Sequence, residues 1–109
     1  MIARIWRTGV EPTRVGEYER FAVEQSLPMF RQHRGCLGVL FGRASSNCAV
    51  ITLWDDLEAI AALENSDSYL GTVARIMETG FLSGDQSVEV LDVHGGELTA
   101  AAAQVLSSG

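Results

Sequence analysis

The sequence predicts an α+β domain in the ferredoxin-like β-α-β-β-α-β order: one antiparallel four-stranded sheet with both helices on one side. Three observations predict it. Four segments, residues 2–8, 36–43, 47–54 and 87–94, carry the alternation and β-branched or aromatic residues of strands. The two long stretches between them space their apolar residues at three and four, as amphipathic helices do. The second and third strands are joined by Ala44-Ser45-Ser46 alone, which forces a hairpin.

The first strand, IARIWRT, ends where Gly9, Glu11 and Pro12 break the pattern, giving a turn over 9–13. Thr13 is placed to cap the first helix, and Glu17 suits its positive end. Val15, Tyr18, Phe21, Ala22, Met29 and Phe30 form its apolar stripe. Pro28 lacks a donor and crowds the preceding turn, so a break is expected near Ser26–Leu27, then a last stretch to Arg34 with Gly35 as C-cap. After the hairpin, Asp55 is expected to cap a helix carrying Leu57, Ile60, Ala61 and Leu63, with Glu58 three residues on. Asn65-Ser66-Asp67 interrupts it. Ser66 or Asp67 can cap a second segment with Tyr69, Leu70, Val73, Ala74, Ile76 and Met77, which closes by Gly80. Gly84 and Asp85 turn the chain into the last strand, SVEVLDVH. The domain therefore spans residues 1–95. Residues 96–109 are a tail in which ELTAAAAQVL has the composition of a short helix and Ser107–Gly109 is expected to fray.

If Arg43 opposes Asn47, paired hairpin positions sum to 90: Leu40 faces Val50, Gly38 faces Thr52 and Cys36 faces Trp54. One face then holds Cys36, Gly38, Leu40, Gly42, Cys48, Val50, Thr52 and Trp54, and the other Leu37, Val39, Phe41, Ala49, Ile51 and Leu53. Neither face is polar, whereas a half-solvated sheet shows one polar face. The helices cover one side. The other is expected to meet a second copy, sheet against sheet, about a two-fold axis. The tail is the competing cover, but a mostly alanine segment buries little. Cys36 and Cys48 fall about 20 Å apart along the strands and are expected to be free thiols.

Composition excludes several classes. At 47% hydrophobic and 20% charged, the chain has a globular composition. Its 8 basic residues, all Arg, stand against 14 acidic ones, a net charge of −6 that disfavours nucleic acid and anionic membranes as partners. Residues 1–43 carry seven Arg and four Glu, and residues 44–109 one Arg and ten acids. This asymmetry reads either as solvated helix faces or as charge matching between copies. No apolar run approaches the ~20 residues of a membrane span, and the charged start does not read as a leader, so a cytoplasmic location is expected. His33 and His94 show no ligand spacing, and two cysteines are too few for a zinc cage, so no metal is expected. A glycine-rich phosphate loop and a serine nucleophile elbow are missing from the sequence as well.

Several segments resemble a known family. Pro28–Gly38 (PMFRQHRGCLG), Val50–Ile60 (VITLWDDLEAI), Leu63–Tyr69 (LENSDSY) and Val88–Val93 (VEVLDV), in this element order, look like the antibiotic biosynthesis monooxygenase-like family of dimeric α/β barrels. The resemblance spans roughly residues 2–95. It implies two ferredoxin-like subunits sharing a barrel, with a pocket in each between sheet and helices. It also implies oxygenation of a small aromatic quinol without metal, flavin or other cofactor, the substrate's own anion reacting with oxygen. The haem-degrading branch carries an Asn in the first strand, a Trp in the helix after the third strand and a His ten residues later. Here Ile2–Thr8 has no Asn, and Leu63 and Val73 occupy the other two positions. The antibiotic-tailoring branch carries an Asn four residues before a strand Trp; if that Trp is Trp54, position 50 is Val. The alternatives are a non-catalytic small-molecule-binding or stress-related barrel, and haem binding.

The candidate pocket residues are Tyr18, His33, Thr52, Trp54 and Tyr69. Trp54 beside Gly38, Gly42 and Thr52 reads as a pocket wall or as core. Tyr18 either orients a substrate oxygen or lies in the core. His33, four residues after Met29, is the candidate general base, or else a helix-end partner of the dipole. Arg4, inside a covered strand, needs a partner, for which Asp92 on the last strand is the candidate.

Overall fold

The structure is a computed structural model describing residues 1–108; Gly109, and with it one end of the expected frayed tail, lies outside the described residues. Four strands form one antiparallel sheet in the order β2-β3-β1-β4: β1 (Ile2–Val10), β2 (Cys36–Ala44), β3 (Asn47–Trp54) and β4 (Leu82–Asp92). The helices are α1 (Val15–Phe21), α2 (Leu27–Arg31), α3 (Leu57–Glu64), α4 (Asp67–Glu78) and α5 (Ala100–Ser108). The α+β ferredoxin-like arrangement is as the alternation and helical spacing predict.

Local details differ for identifiable reasons. β1 runs on to Val10, whose side chain is fully buried and whose N–H reaches the Ser46 carbonyl at 2.8 Å. The chain enters α1 through a 3₁₀ turn, Pro12–Arg14, with no side-chain cap, so Thr13 is inside that turn and not the cap of α1. Pro28 does not break the helix. The turn before it, Ala22–Ser26, is wound as a π-helix, and Leu27 N–H bonds to the Ala22 carbonyl five residues back. That looser winding absorbs the irregularity ahead of Pro28, which sits at the start of α2 where a missing donor costs little. Gly35 closes the segment with φ 85°, a conformation that favours glycine. The cap of α3 is Asp56, one residue beyond Asp55; its carboxylate accepts from Ala59 N–H at 2.9 Å. Ser66 caps α4, accepting from Tyr69 N–H at 3.2 Å.

The hairpin register is shifted by one. Ala44 pairs with Asn47, Phe41 with Val50, Leu40 with Ile51 and Val39 with Thr52, around a two-residue turn in which Ser45 takes φ 58°. An irregularity between Cys36 and Gly38 restores the Cys36–Trp54 pairing. A one-residue slip exchanges faces. Val39 and Phe41, not Gly38, Leu40 and Gly42, therefore share the helix side with Cys48, Val50, Thr52 and Trp54, and the expected space beside Trp54 is filled. The last strand also starts earlier than expected. It carries an irregularity at residues 84–86 opposite Thr8, and ends at Asp92, leaving His94 exposed beyond it. Gly9 borders this irregularity, where a Cβ would stand 2.7 Å from the Ser83 carbonyl oxygen.

The helix side of the sheet holds the core. One cluster joins Ile2, Met29, Phe30, Val50, Trp54, Ile60 and Leu63, and a second joins Val10, Tyr18, Cys48, Ile76 and Phe81. The outer side remains apolar after the register correction. Its rows run Leu40–Ile51–Ile5–Glu89 and Gly38–Leu53–Ala3–Leu91 across the four strands. Among the described residues, no helix is long and apolar enough to cross a membrane.

Candidate functional site

A cavity of about 80 Å³ opens between the helix layer and the middle of the sheet. Alternation puts Arg4 and Trp6 on the helix side of β1, beside Val50 of β3. The π turn and α2 contribute Ser26, Met29 and Phe30. Helical spacing on α4 brings Tyr69, Thr72, Val73, Ile76 and Met77 over the opening, and Gln86 of β4 closes one edge. The walls are mostly apolar, with a few convergent polar groups, the usual make-up of a small-molecule site.

Arg4 is the charged member, only 2% exposed. Its Nε donates to Glu64 Oε2 at 3.1 Å and its Nη2 donates to the Tyr69 hydroxyl at 2.9 Å. Asp92 is not its partner: β4 lies at the sheet edge, and Asp92 pairs with Ile2, two register positions from the Arg4–Val90 pair. Burying a guanidinium demands a counter-charge and filled hydrogen bonds. Glu64 at the end of α3 supplies the charge from a half-exposed position. Nη1 makes no hydrogen bond among the described residues, and Tyr69, accepting from Arg4, keeps its own proton to donate. The cavity thus presents a fixed cation and a hydroxyl donor inside apolar walls, an arrangement that favours a small molecule bearing one anionic oxygen.

Of the residues that the sequence singled out, Tyr69 lines this cavity. Trp54 and Thr52 are fully buried and bonded to each other, the indole Nε1 donating to Thr52 Oγ1 at 2.8 Å. His33 lies at the end of the first helical segment, where Nε2 is 2.9 Å from Ser68 Oγ, in a hydroxyl group that includes Ser66. Tyr18 is in the second core cluster, edge-on to Phe81 at 6.1 Å, and its buried hydroxyl has no hydrogen-bond partner among the described residues. Burial raises its pKa well above that of a free phenol, with neighbouring Cys48 adding to the shift. Burial likewise pushes both the Cys36 and Cys48 thiols up, and both cysteines are free. Trp6, Met29, Thr72, Met77 and Gln86 were not candidates from sequence. The pairing of Arg4 and Trp6 on one strand face was the readable sign of where the floor lies.

Fold and cavity together define a small ferredoxin-like α+β protein with a single-cation pocket under its helices. That fold is the one seen in antibiotic biosynthesis monooxygenases. A protein from Bordetella bronchiseptica described as a candidate member superimposes with TM-score 0.73 at 21% identity, over 84% of this chain and 95% of that one. A corresponding protein from Caulobacter crescentus gives 0.74 at 18%, over 86% and 90%. Rv0793 from Mycobacterium tuberculosis gives 0.71 at 18%, over 87% and 96%. At these identities the likeness is one of fold. No protein-family model and no curated protein sequence matches the chain.

Proposed function

We propose that this protein is a cofactor-independent monooxygenase acting on a small aromatic quinol-type molecule held over Arg4. The observation that carries the reading is the buried guanidinium with Nη1 uncommitted beside the Tyr69 hydroxyl. A quinol reacts with oxygen through its anion. A cation and a donor fixed among apolar walls favour that anion over the neutral form, and the walls orient the ring. The neighbours' fold supports the reading. We also infer that two copies pack through the outer sheet face, because its rows of Leu40, Ile51, Ile5, Leu53 and Leu91 are otherwise left to water.

The test is oxygen uptake by metal-stripped protein across a panel of hydroquinones. Uptake above the uncatalysed rate is expected for single-ring members. Arg4→Gln, checked for native circular dichroism, is expected to lower it about 100-fold, the usual cost of losing an oxyanion donor. A panel with no uptake above background sinks the enzymatic reading. A second reading, a non-catalytic binder of small phenols, is favoured by the absence of any imidazole or carboxylate among the cavity-lining side chains. Saturable quenching of Trp6 by a redox-inert phenol, without oxygen uptake, would select it.

A further inference from the structure

The mouth of the cavity carries an apolar rim that the chain itself leaves open. Val88 and Val90 of β4 face the helix side, opposite Trp6 and Arg4, but the helix layer stops short of them, and both are about half exposed. On α4, Leu70 and Met77 are equally exposed, and Met77 lines the cavity across from Gln86 of β4. Leu70, Val88 and Val90 are exposed apolar side chains on α4 and β4, the two elements that border it.

A matching apolar element lies elsewhere in the same chain. Every residue of α5 is exposed. Leu98 stands two residues before the helix, and Ala102, Val105 and Leu106 fall at i, i+3 and i+4 on one stripe of α5. The three larger ones are 68%, 69% and 63% exposed. A helix of nine residues is shorter than the ~12–15 that an isolated helix needs to persist in water, so α5 must draw its stability from packing. In the single chain α5 does not lie on the rim. Its connection leaves β4 past Leu91 and Val93, at the border of the outer apolar sheet face, the face on which a second copy would sit.

We propose that α5 of one copy docks on the rim formed by Leu70, Met77, Val88 and Val90 of the other, so that each cavity is closed by its partner's tail. Gly95 and Gly96, the latter at φ 131°, give the connection the freedom to cross. The inference rests on the two-copy reading and not on the oxygenase chemistry.

The experiment is cysteine trapping between separately prepared full-length chains. One batch carries Val105→Cys; the other carries Leu70→Cys or Val88→Cys. After mixing, subunit exchange and mild oxidation, a mixed disulfide-linked pair is expected in most chains, and adding Leu106→Glu to the first batch is expected to slow its formation at least tenfold. Wild-type protein oxidised in parallel measures any contribution of Cys36 and Cys48. Linkage no faster than to Glu24→Cys, exposed on the π turn, overturns the docking. So does a monomeric internal link in a chain carrying Val105→Cys and Leu70→Cys together, which would show α5 folding back on its own chain. Sedimentation of the unmodified protein separates the failures: a dimer without cross-chain linkage removes only the docking, and a monomer removes both.

Discussion

Replacing Tyr18 by Phe tests the assignment of Tyr18 to the core directly. Tyr18 is 3% exposed, and its hydroxyl meets no hydrogen-bond partner of acceptable geometry among the described residues. Its polar neighbour is Cys48, whose sulfur is a weak acceptor at best. An unpaired buried hydroxyl carries a desolvation penalty of about 1–3 kcal/mol. Tyr18→Phe removes that hydroxyl and keeps the ring, and with it the edge-on contact to Phe81 at 89°. Allowing for the weak sulfur contact and the small space left behind, the expected gain is about 1 kcal/mol. For a domain of this size that raises Tm by roughly 4–8 °C. Urea unfolding and thermal melts at one fixed chain concentration read it, since the proposed pairing of copies would make both concentration-dependent. Oxygen uptake should not change, because the hydroxyl lies outside the Arg4 cavity. A loss of 1 kcal/mol or more, or a loss of uptake, refutes the reasoning and shows that the hydroxyl is engaged.

Two further outcomes follow from the same geometry. Burial raises the pKa of the Cys36, Cys48 and Tyr18 side chains, so each holds its proton more tightly folded than unfolded. Their contribution to stability is therefore complete below the unfolded values, about 8.5 for thiols and 10 for phenol, and is lost as pH climbs toward the folded ones. Urea midpoints should fall above about pH 9, and thiol labelling at pH 8 should be much slower in the native than in the urea-unfolded chain; equal rates would refute the burial argument. On the outer sheet face, Ile51→Glu puts a charge in the row between Leu40 and Ile5. The proposed pairing predicts a dimer for the wild type and a folded monomer for this variant at the same concentration, and an unchanged dimer would move the interface elsewhere.

Most elements were legible in the sequence because they rest on local rules. Alternation at Ile2–Thr8, the spacing of Tyr69, Val73 and Ile76, and the left-handed glycine at Gly35 each act within a few residues. The hairpin register was not legible. The turn carries Ser45 at positive φ, where the usual Asn-Gly mark is missing, so Ala44-Ser45-Ser46 read as a three-residue loop. The irregularity at Leu37 then cancels the slip at Cys36–Trp54, so that one end of the register came out right while the faces in between were exchanged. For the site, Tyr69 could be picked out but its partner could not. The Arg4–Tyr69 bond joins residues 65 apart, and Glu64 ends a helix whose direction over β1 only the assembled fold decides. Trp54, the most conspicuous aromatic, misled because its indole N–H is satisfied two residues away by Thr52.

The π turn at Ala22–Ser26 gives the cavity a tolerance to chain length that side-chain chemistry does not reveal. A π turn holds one more residue than the regular helix would. Loss of a single residue there, such as the exposed Val23, would let the segment wind as an ordinary helix. The residues after it would then keep their facing, with Met29 and Phe30 still in the wall, whereas loss of a residue from the regular turns of α1 would rotate everything after it by about 100°. A one-residue shortening at this point would therefore spare the pocket wall, while the same change in α1 would remodel it.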